Sequence, residues 1–235
     1  MADRRVQLDA LYDAIDELRI HLGGPRTLAE ATGRDGWPSH GIYLFFEPGE
    51  DREDGRTPRV VRVGTHALTT TSRTTLWNRL AQHRGAVGGA NPGGGNHRGS
   101  IFRLHAGTAL INRDRRTDSP QWGTGSSAPR EVKDAEVALE RAVSDHIRAM
   151  PLLWLAVNDR HARAAIERDL IALLSNTDRT PIDPPSNGWL GHHAGRAALR
   201  TSGLWNVHHV DRHPHGDGLD RFGALIEQHA RGSIR

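Results

Sequence analysis

Apolar side chains recur at three- and four-residue steps from Leu8 through Leu11, Tyr12, Ile15 and Leu18 to Leu22, where Gly23-Gly24 stops the run. That stripe predicts an amphipathic helix over 7–22. "GIYLFFE" at 41–47 is apolar and aromatic, the pattern of a buried strand, and "RVVRVG" at 59–64 matches it across a polar, Gly/Pro-punctuated turn. The two predict a β-hairpin with a long loop. Leu76 and Leu80 stand four apart in "TLWNRLAQHR", predicting a short helix over 75–84, capped by Thr74 or Thr75 and ended by Gly85.

Residues 85–99 carry too many glycines for a regular element and read as a mobile loop. "SIFRLH" reads as another strand, and 113–130 as a loop or disordered stretch. Val132, Ala135, Leu139, Ala142, Val143 and Ile147 predict a helix over 131–149, stopped by Pro151. "LLWLAV" at 152–157 has the look of a strand buried on both faces. A helix follows over 160–175, then a rigid proline-rich loop at 180–191, a strand-like "SGLWNVHHV", and a closing helix from Leu219 to Ala230. No internal repeat is visible. The order predicts one α/β or α+β domain over 1–235, a small central β-sheet flanked by helices. The N-terminal helix precedes a core over 40–85 and 150–190, with an insertion at 86–150 and a C-terminal extension from 191.

Composition narrows this picture only slightly. The 235 residues include no cysteine, which excludes disulfides and thiolate metal sites and suits the cytoplasm. No run approaches the roughly 18 apolar residues a bilayer span needs, so no membrane partner is expected. The net charge of +3 is a weak argument for nucleic acid. Nearly all the basic residues are arginine, a side chain suited to bidentate phosphate contact.

The pieces in order, Gly41-Ile42-Tyr43, Arg62-Val63-Gly64, Arg79 with His83, and Glu167 in "AIERDLIALLS", resemble the GIY-YIG nuclease superfamily. The Arg–His pair at a four-residue spacing is similar to that of its restriction-endonuclease members. "PPSNGWLG" and "SGLWNVHHV" also resemble stretches of bacterial proteins in the superfamily, with no role attached. The resemblance implies Mg²⁺-dependent (or Mn²⁺-dependent) endonucleolytic hydrolysis of double-stranded DNA in restriction or defence. It implies Glu167 as metal ligand, Arg79 on the scissile phosphate, Tyr43 positioning or deprotonating the water, and His83 as base or relay. The chemistry is coherent: a carboxylate suits a hard cation that keeps its waters, and an imidazole titrates near neutrality. Arg62 stands where the superfamily's second motif has Tyr. Arginine is essentially never a base, so this position is left phosphate binding, or else marks a dead enzyme.

Outside that set, Arg84, Arg98 and Arg103 are the expected phosphate contacts. Glu136 and Glu140 compete with Glu167 for the metal. Trp77, Trp189 and Trp205 read as core or hinge packing. "GGANPGGGNHRG" lacks the Gly-Lys-Ser/Thr of a P-loop and reads as a flexible lid or DNA-contacting loop. The run holding His208, His209, Asp211, His213, His215 and Asp217 has spacing that can bind a transition metal, and equally reads as a solvated loop. Each residue also has a bland reading: Tyr43 as a core aromatic, Arg79 and His83 as a solvated face, and Glu167 as a partner of Arg163 or Arg168. The rival functions are an inactive nucleic-acid-binding module, an RNA-directed nuclease, and a zinc-binding structural protein. A homodimer would suit a palindromic site, though no dimer surface can be read from the sequence.

Overall fold

The computed structural model describes residues 3–69, 71–89 and 92–232. The first helix, α1 (Arg4–His21), is capped by the Asp3 side chain, which accepts from the Arg5 backbone N–H. It buries the expected stripe of Leu8, Leu11, Tyr12, Ile15 and Leu18. The sheet has four strands: β1 (Arg26–Thr27), β2 (Gly41–Asp51), β3 (Pro58–Thr65) and β4 (Pro151–Ala156). Every pairing is antiparallel, in the order β1-β4-β2-β3, so β2 is central and β3 lies at one edge.

Period-two alternation along β2 sorts its side chains onto two faces, and each face has its own core. Ile42, Leu44 and Phe46 point to one side, with α1, α5 (Arg160–Leu174) and α7 (Asp217–Ala230). Tyr43 and Phe45 point to the other. There they meet α2 (Leu76–Arg84), α3 (Ile101–Asp114), α4 (Arg130–Arg148), Trp189 and Trp205. A short helix, α6 (Ala197–Ser202), precedes the last segment. No helix among the described residues is long and apolar enough to cross a membrane.

Three sequence expectations give way here. "SIFRLH" is not a strand: Ser100 caps α3 and the run continues as helix, burying Phe102, Ala106, Ala109 and Leu110. The helix tolerates Gly107 for a packing reason. A Cβ at that position would come within 2.1 Å of the Trp122 ring, so glycine lets the indole lie directly on the helix backbone. Trp122 in turn pins the 113–130 stretch. Its indole N–H donates to the Leu104 carbonyl at 3.1 Å, and its ring stacks on His97 with centroids 3.7 Å apart. The glycine-rich loop also carries structure, a 3-10 turn at His97–Gly99; residues 90 and 91 of that loop lie outside the described ones.

"SGLWNVHHV" is no strand either, yet it covers the free edge of β3. The Trp205 N–H donates to the Val61 carbonyl at 2.7 Å. The Asn206 amide imitates a neighbouring strand, accepting from the Val63 N–H at 3.1 Å and donating to the Val63 carbonyl at 2.8 Å. Trp189 and Trp205 are core, as expected. Both indole N–H groups donate to one carboxylate oxygen of Glu47, at 3.0 and 2.9 Å.

Candidate functional site

Tyr43 lies on β2 directly opposite Gly64 on β3. The tyrosine ring covers that glycine so closely that a Cβ there would stand 2.3 Å from the ring and 2.4 Å from the hydroxyl. Gly64 is therefore required by close approach rather than by a turn. At 0 % exposure Tyr43 is a core aromatic, but its hydroxyl is held by chemistry. The oxygen lies 2.9 Å from Nε2 of His83, whose Nδ1 lies 2.8 Å from the Ser100 hydroxyl.

The Thr75 side chain accepts from the Asn78 N–H and starts α2, which presents Arg79 and His83 one turn apart. The two lie at different depths. His83 is fully buried beneath Tyr43, while Arg79 is half-buried, with one guanidinium nitrogen donating to the Gln82 side chain at 3.0 Å. Burial, with Arg79, Arg62 and Arg103 adding positive charge, holds the His83 pKa well below its ordinary value. The expectation of an imidazole titrating near neutrality is corrected: His83 is neutral here.

Tyr43, Arg62, Arg79 and Glu167 line a single cleft of about 360 Å³ at the β3 edge. Arg62 faces it from β3, across from Phe45, with its guanidinium carbon 4.7 Å from the centroid of the Phe102 ring. One of its nitrogens donates to the Trp205 carbonyl; its Nε is buried with no partner among the described residues, and the residue is 6 % exposed. Glu167 approaches from α5, which packs on the opposite sheet face from Tyr43. Because β3 is an edge strand, the carboxylate reaches around its end, where Oε1 accepts from the Thr65 N–H at 3.2 Å. Burial raises the Glu167 pKa, and Arg62, the Thr65 N–H and Arg79 offset this only in part. A carboxyl held against ionisation beside two guanidiniums, with one bonded oxygen, has coordination capacity left over.

Those donors fit a hard divalent cation in a limited way: one carboxylate, with water and substrate phosphate left to complete the shell. Glu136 and Glu140, the competing carboxylates, are committed elsewhere, to Arg98 and to His97 and Arg103. Among the described residues no group of three or more His, Asp or Glu side chains is placed to hold a metal. The histidine run disperses accordingly: His208 and His209 line the cleft, while His213 and His215 line a separate groove with Arg4 and Arg179.

The three arginines expected to touch phosphate have internal partners. Arg103 is 0 % exposed and ion-paired with Glu140, with its remaining donors on the His83 and Glu140 carbonyls and the Ser144 hydroxyl. Arg98 makes a bidentate pair with Glu136 at 2.6 and 2.9 Å. Arg84 donates to the Ala31 carbonyl at 2.7 Å and lies over the Trp77 ring. Sequence reasoning missed Ser100, the Thr65 N–H, Asn206 and Arg196, an exposed cleft residue at the start of α6. Of these only Ser100 left a signal, as a serine cap ahead of an apolar stripe.

No curated protein and no solved structure matches the chain. A family model, described as the GIY-YIG domain, matches residues 2–232. The match spans nearly the whole sequence and agrees with the antiparallel sheet and the cleft at its edge. On these grounds the chain belongs to the GIY-YIG family, and that membership supports a nuclease-type function.

Proposed function

We propose that this chain is an endonuclease that hydrolyses phosphodiester bonds of double-stranded DNA with Mg²⁺ or Mn²⁺, in restriction or another defence role. The observation that carries the reading is the meeting of Tyr43, Arg79 and Glu167, 124 positions apart at the extremes, in one cleft. Glu167 would hold the cation, which when bound supplies Lewis-acid charge to a phosphate oxygen. Arg79 and Arg62 neutralise the phosphate as its charge develops, in a setting where fixed donors need no reorganisation. Tyr43, which borders the cleft, takes the proton of the attacking water once its own has passed to solvent. The water oxygen bonds to phosphorus, and the opposite phosphorus–oxygen bond breaks with its electron pair on the departing oxygen.

Incubating the protein with supercoiled DNA and Mg²⁺ tests this. Nicked and linear products are expected from the parent and neither from Arg79→Ala or Glu167→Ala; equal cleavage by both variants would overturn the assignment. Arg62 in the second-motif position favours one rival, a binding module without catalysis. That rival predicts DNA retention with no nicking under either metal, and an RNA substrate under the same conditions separates an RNA-directed nuclease. The homodimer gains no support. Of the exposed large apolar side chains among the described residues, Leu68 and Ile101 line the cleft itself, while Val6 and Ile20 lie on α1 and Val87 in a loop.

A further inference from the structure

The row Tyr43–His83–Ser100 poses a question of proton placement that counting donors answers. A neutral imidazole carries one ring proton, so one nitrogen donates and the other accepts. His83 is fully buried among Arg62, Arg79 and Arg103, so neutral is the form it takes. Ser100 is also buried, at 1 % exposure. Its oxygen has two neighbours among the described residues: the Arg103 N–H at 3.3 Å, which can only donate, and His83 Nδ1 at 2.8 Å. The Ser100 proton therefore has one destination, His83 Nδ1.

The alternative moves the shortfall rather than removing it. With the proton on Nδ1, His83 would donate to Ser100 and accept the Tyr43 proton at Nε2, stranding the Ser100 proton in the interior. A buried donor left unmade costs its full desolvation. With the proton on Nε2, the displaced hydrogen is Tyr43's own. Both residues are buried, at 0 and 1 % exposure, but Tyr43 borders the cleft and Ser100 does not, so the tyrosine proton is the one with a route to water.

We infer that Ser100 fixes His83 in the Nε2–H tautomer, making His83 a hydrogen-bond donor to the Tyr43 oxygen rather than a base. Ser100 is thus a positioning residue, acting on Tyr43 through His83. The tyrosine O–H then points toward the cleft, and donation from Nε2–H stabilises the oxygen when its proton passes to solvent during the reaction. In the hydrolytic step the water proton goes to that oxygen, the water oxygen bonds to phosphorus, and the leaving oxygen takes a proton from solvent. The tautomer stands on the hydrogen-bond geometry and the burial of His83; its catalytic consequence rests on the nuclease reading.

Nitrogen NMR of ¹⁵N-histidine-labelled protein reads the tautomer directly, the His83 signals being assigned by their loss in His83→Gln. A protonated Nε2 with a bare Nδ1 is expected in the parent and in Ser100→Thr; a protonated Nδ1 in the parent would overturn the inference. Cleavage then reads the consequence. Gln places an amide N–H where Nε2–H was, and Asn places it nearer Nδ1. His83→Gln is expected to stay within about tenfold of the parent, while His83→Asn falls by roughly 10²-fold or more, the low end of the loss on removing a donor that stabilises developing negative charge. Melting temperatures establish that both variants fold. Equal loss in the two would overturn the donor role. If the parent does not cut at all, the nuclease reading fails while the NMR result still decides the tautomer.

Discussion

Two clusters of arginine and glutamate lie on neighbouring parts of this molecule and have opposite fates. Between α3 and α4, Glu140 accepts from Arg103 at 2.5 and 3.1 Å and from the backbone and ring N–H of His97 at 2.6 and 2.9 Å. Burial alone would push the Glu140 carboxyl up, but the His97 and Arg103 bonds outweigh it and hold the group below its usual range. At the β3 edge, Glu167 has the Thr65 N–H at 3.2 Å, Arg62 keeps a buried Nε with no partner among the described residues, and burial raises the Glu167 carboxyl. The residue types are the same. What differs is whether their hydrogen-bonding capacity is used up inside the fold: Glu140 also lines a cavity, of about 250 Å³, with Glu136 and Arg98, but its oxygens are already bonded, whereas Glu167 faces its cleft with capacity to spare.

Among single substitutions, the largest effect on stability is expected in the closed cluster. Glu140→Ala leaves the Arg103 guanidinium buried without a counter-charge, which costs about 3–5 kcal/mol, a large part of the stability of an ordinary domain. Denaturant unfolding measures it. A loss under about 1 kcal/mol would mean the cluster is as loosely held as a surface pair.

Glu167→Gln is the counterpart and should reverse the pattern. Cleavage is expected to fall by roughly 10²–10³-fold, the range for removing one group that stabilises the transition state. Stability should not fall with it. The folded Glu167 pKa lies above the unfolded one, so the group's contribution is complete below the unfolded pKa and is lost as pH rises through the folded pKa. At neutral pH the parent therefore carries a cost that glutamine removes. The variant should melt no lower than the parent at pH 8, and any advantage should vanish by about pH 4. A clear loss of stability at pH 8 would place Glu167 with the structural carboxylates.

Sequence legibility followed the same division. Tyr43 and Gly64 were readable because the reason for each is local: an alternating strand and a cross-strand neighbour without a side chain. Arg79 and His83 were readable as one helical side, though not as one exposed and one buried residue, since depth depends on where α2 meets the sheet. Arg98 and Arg103 were misread because arginine is rarely buried without a pair, and their partners stand 38 and 37 positions away. α3 was hidden by Gly107, a residue that reads as a breaker until Trp122, 15 positions on, explains it. The Glu47 contact with Trp189 and Trp205 spans 142 and 158 positions, and no spacing rule reaches that far.

Acid acts through three histidines that belong to neither cluster. Burial holds His66, His105 and His146 down to about 4, with nearby arginines assisting at each. Each folded pKa lies below the unfolded value, so stability is complete above about pH 6.5 and is lost as pH falls toward 4. The expected slope is about 1.4 kcal/mol per pH unit for each histidine that resists protonation. Only below that window should Glu140 add its own loss, since its lowered carboxyl stabilises the fold until it is protonated. Unfolding midpoints at pH 7, 6 and 5 test this. Equal midpoints would mean the histidines accept protons without opening the fold.

The smallest effect contrasts two arginines that composition cannot tell apart. Arg98 holds Glu136 with both guanidinium arms. Arg196 is exposed, lines the cleft and leads into α6. A phosphate contact releases counterions, so removing one should lower the slope of log binding constant against log salt by about 0.9. In a Glu167→Gln background, which keeps the DNA intact, Arg196→Ala is expected to show that change with an unaltered melting temperature. Arg98→Ala is expected to show the converse, a lower melting temperature and an unaltered slope, because its charge was already balanced within the protein. Should Arg98 prove to be the residue that moves the slope, its pairing with Glu136 opens on binding, and an internal ion pair would no longer mark an arginine as structural.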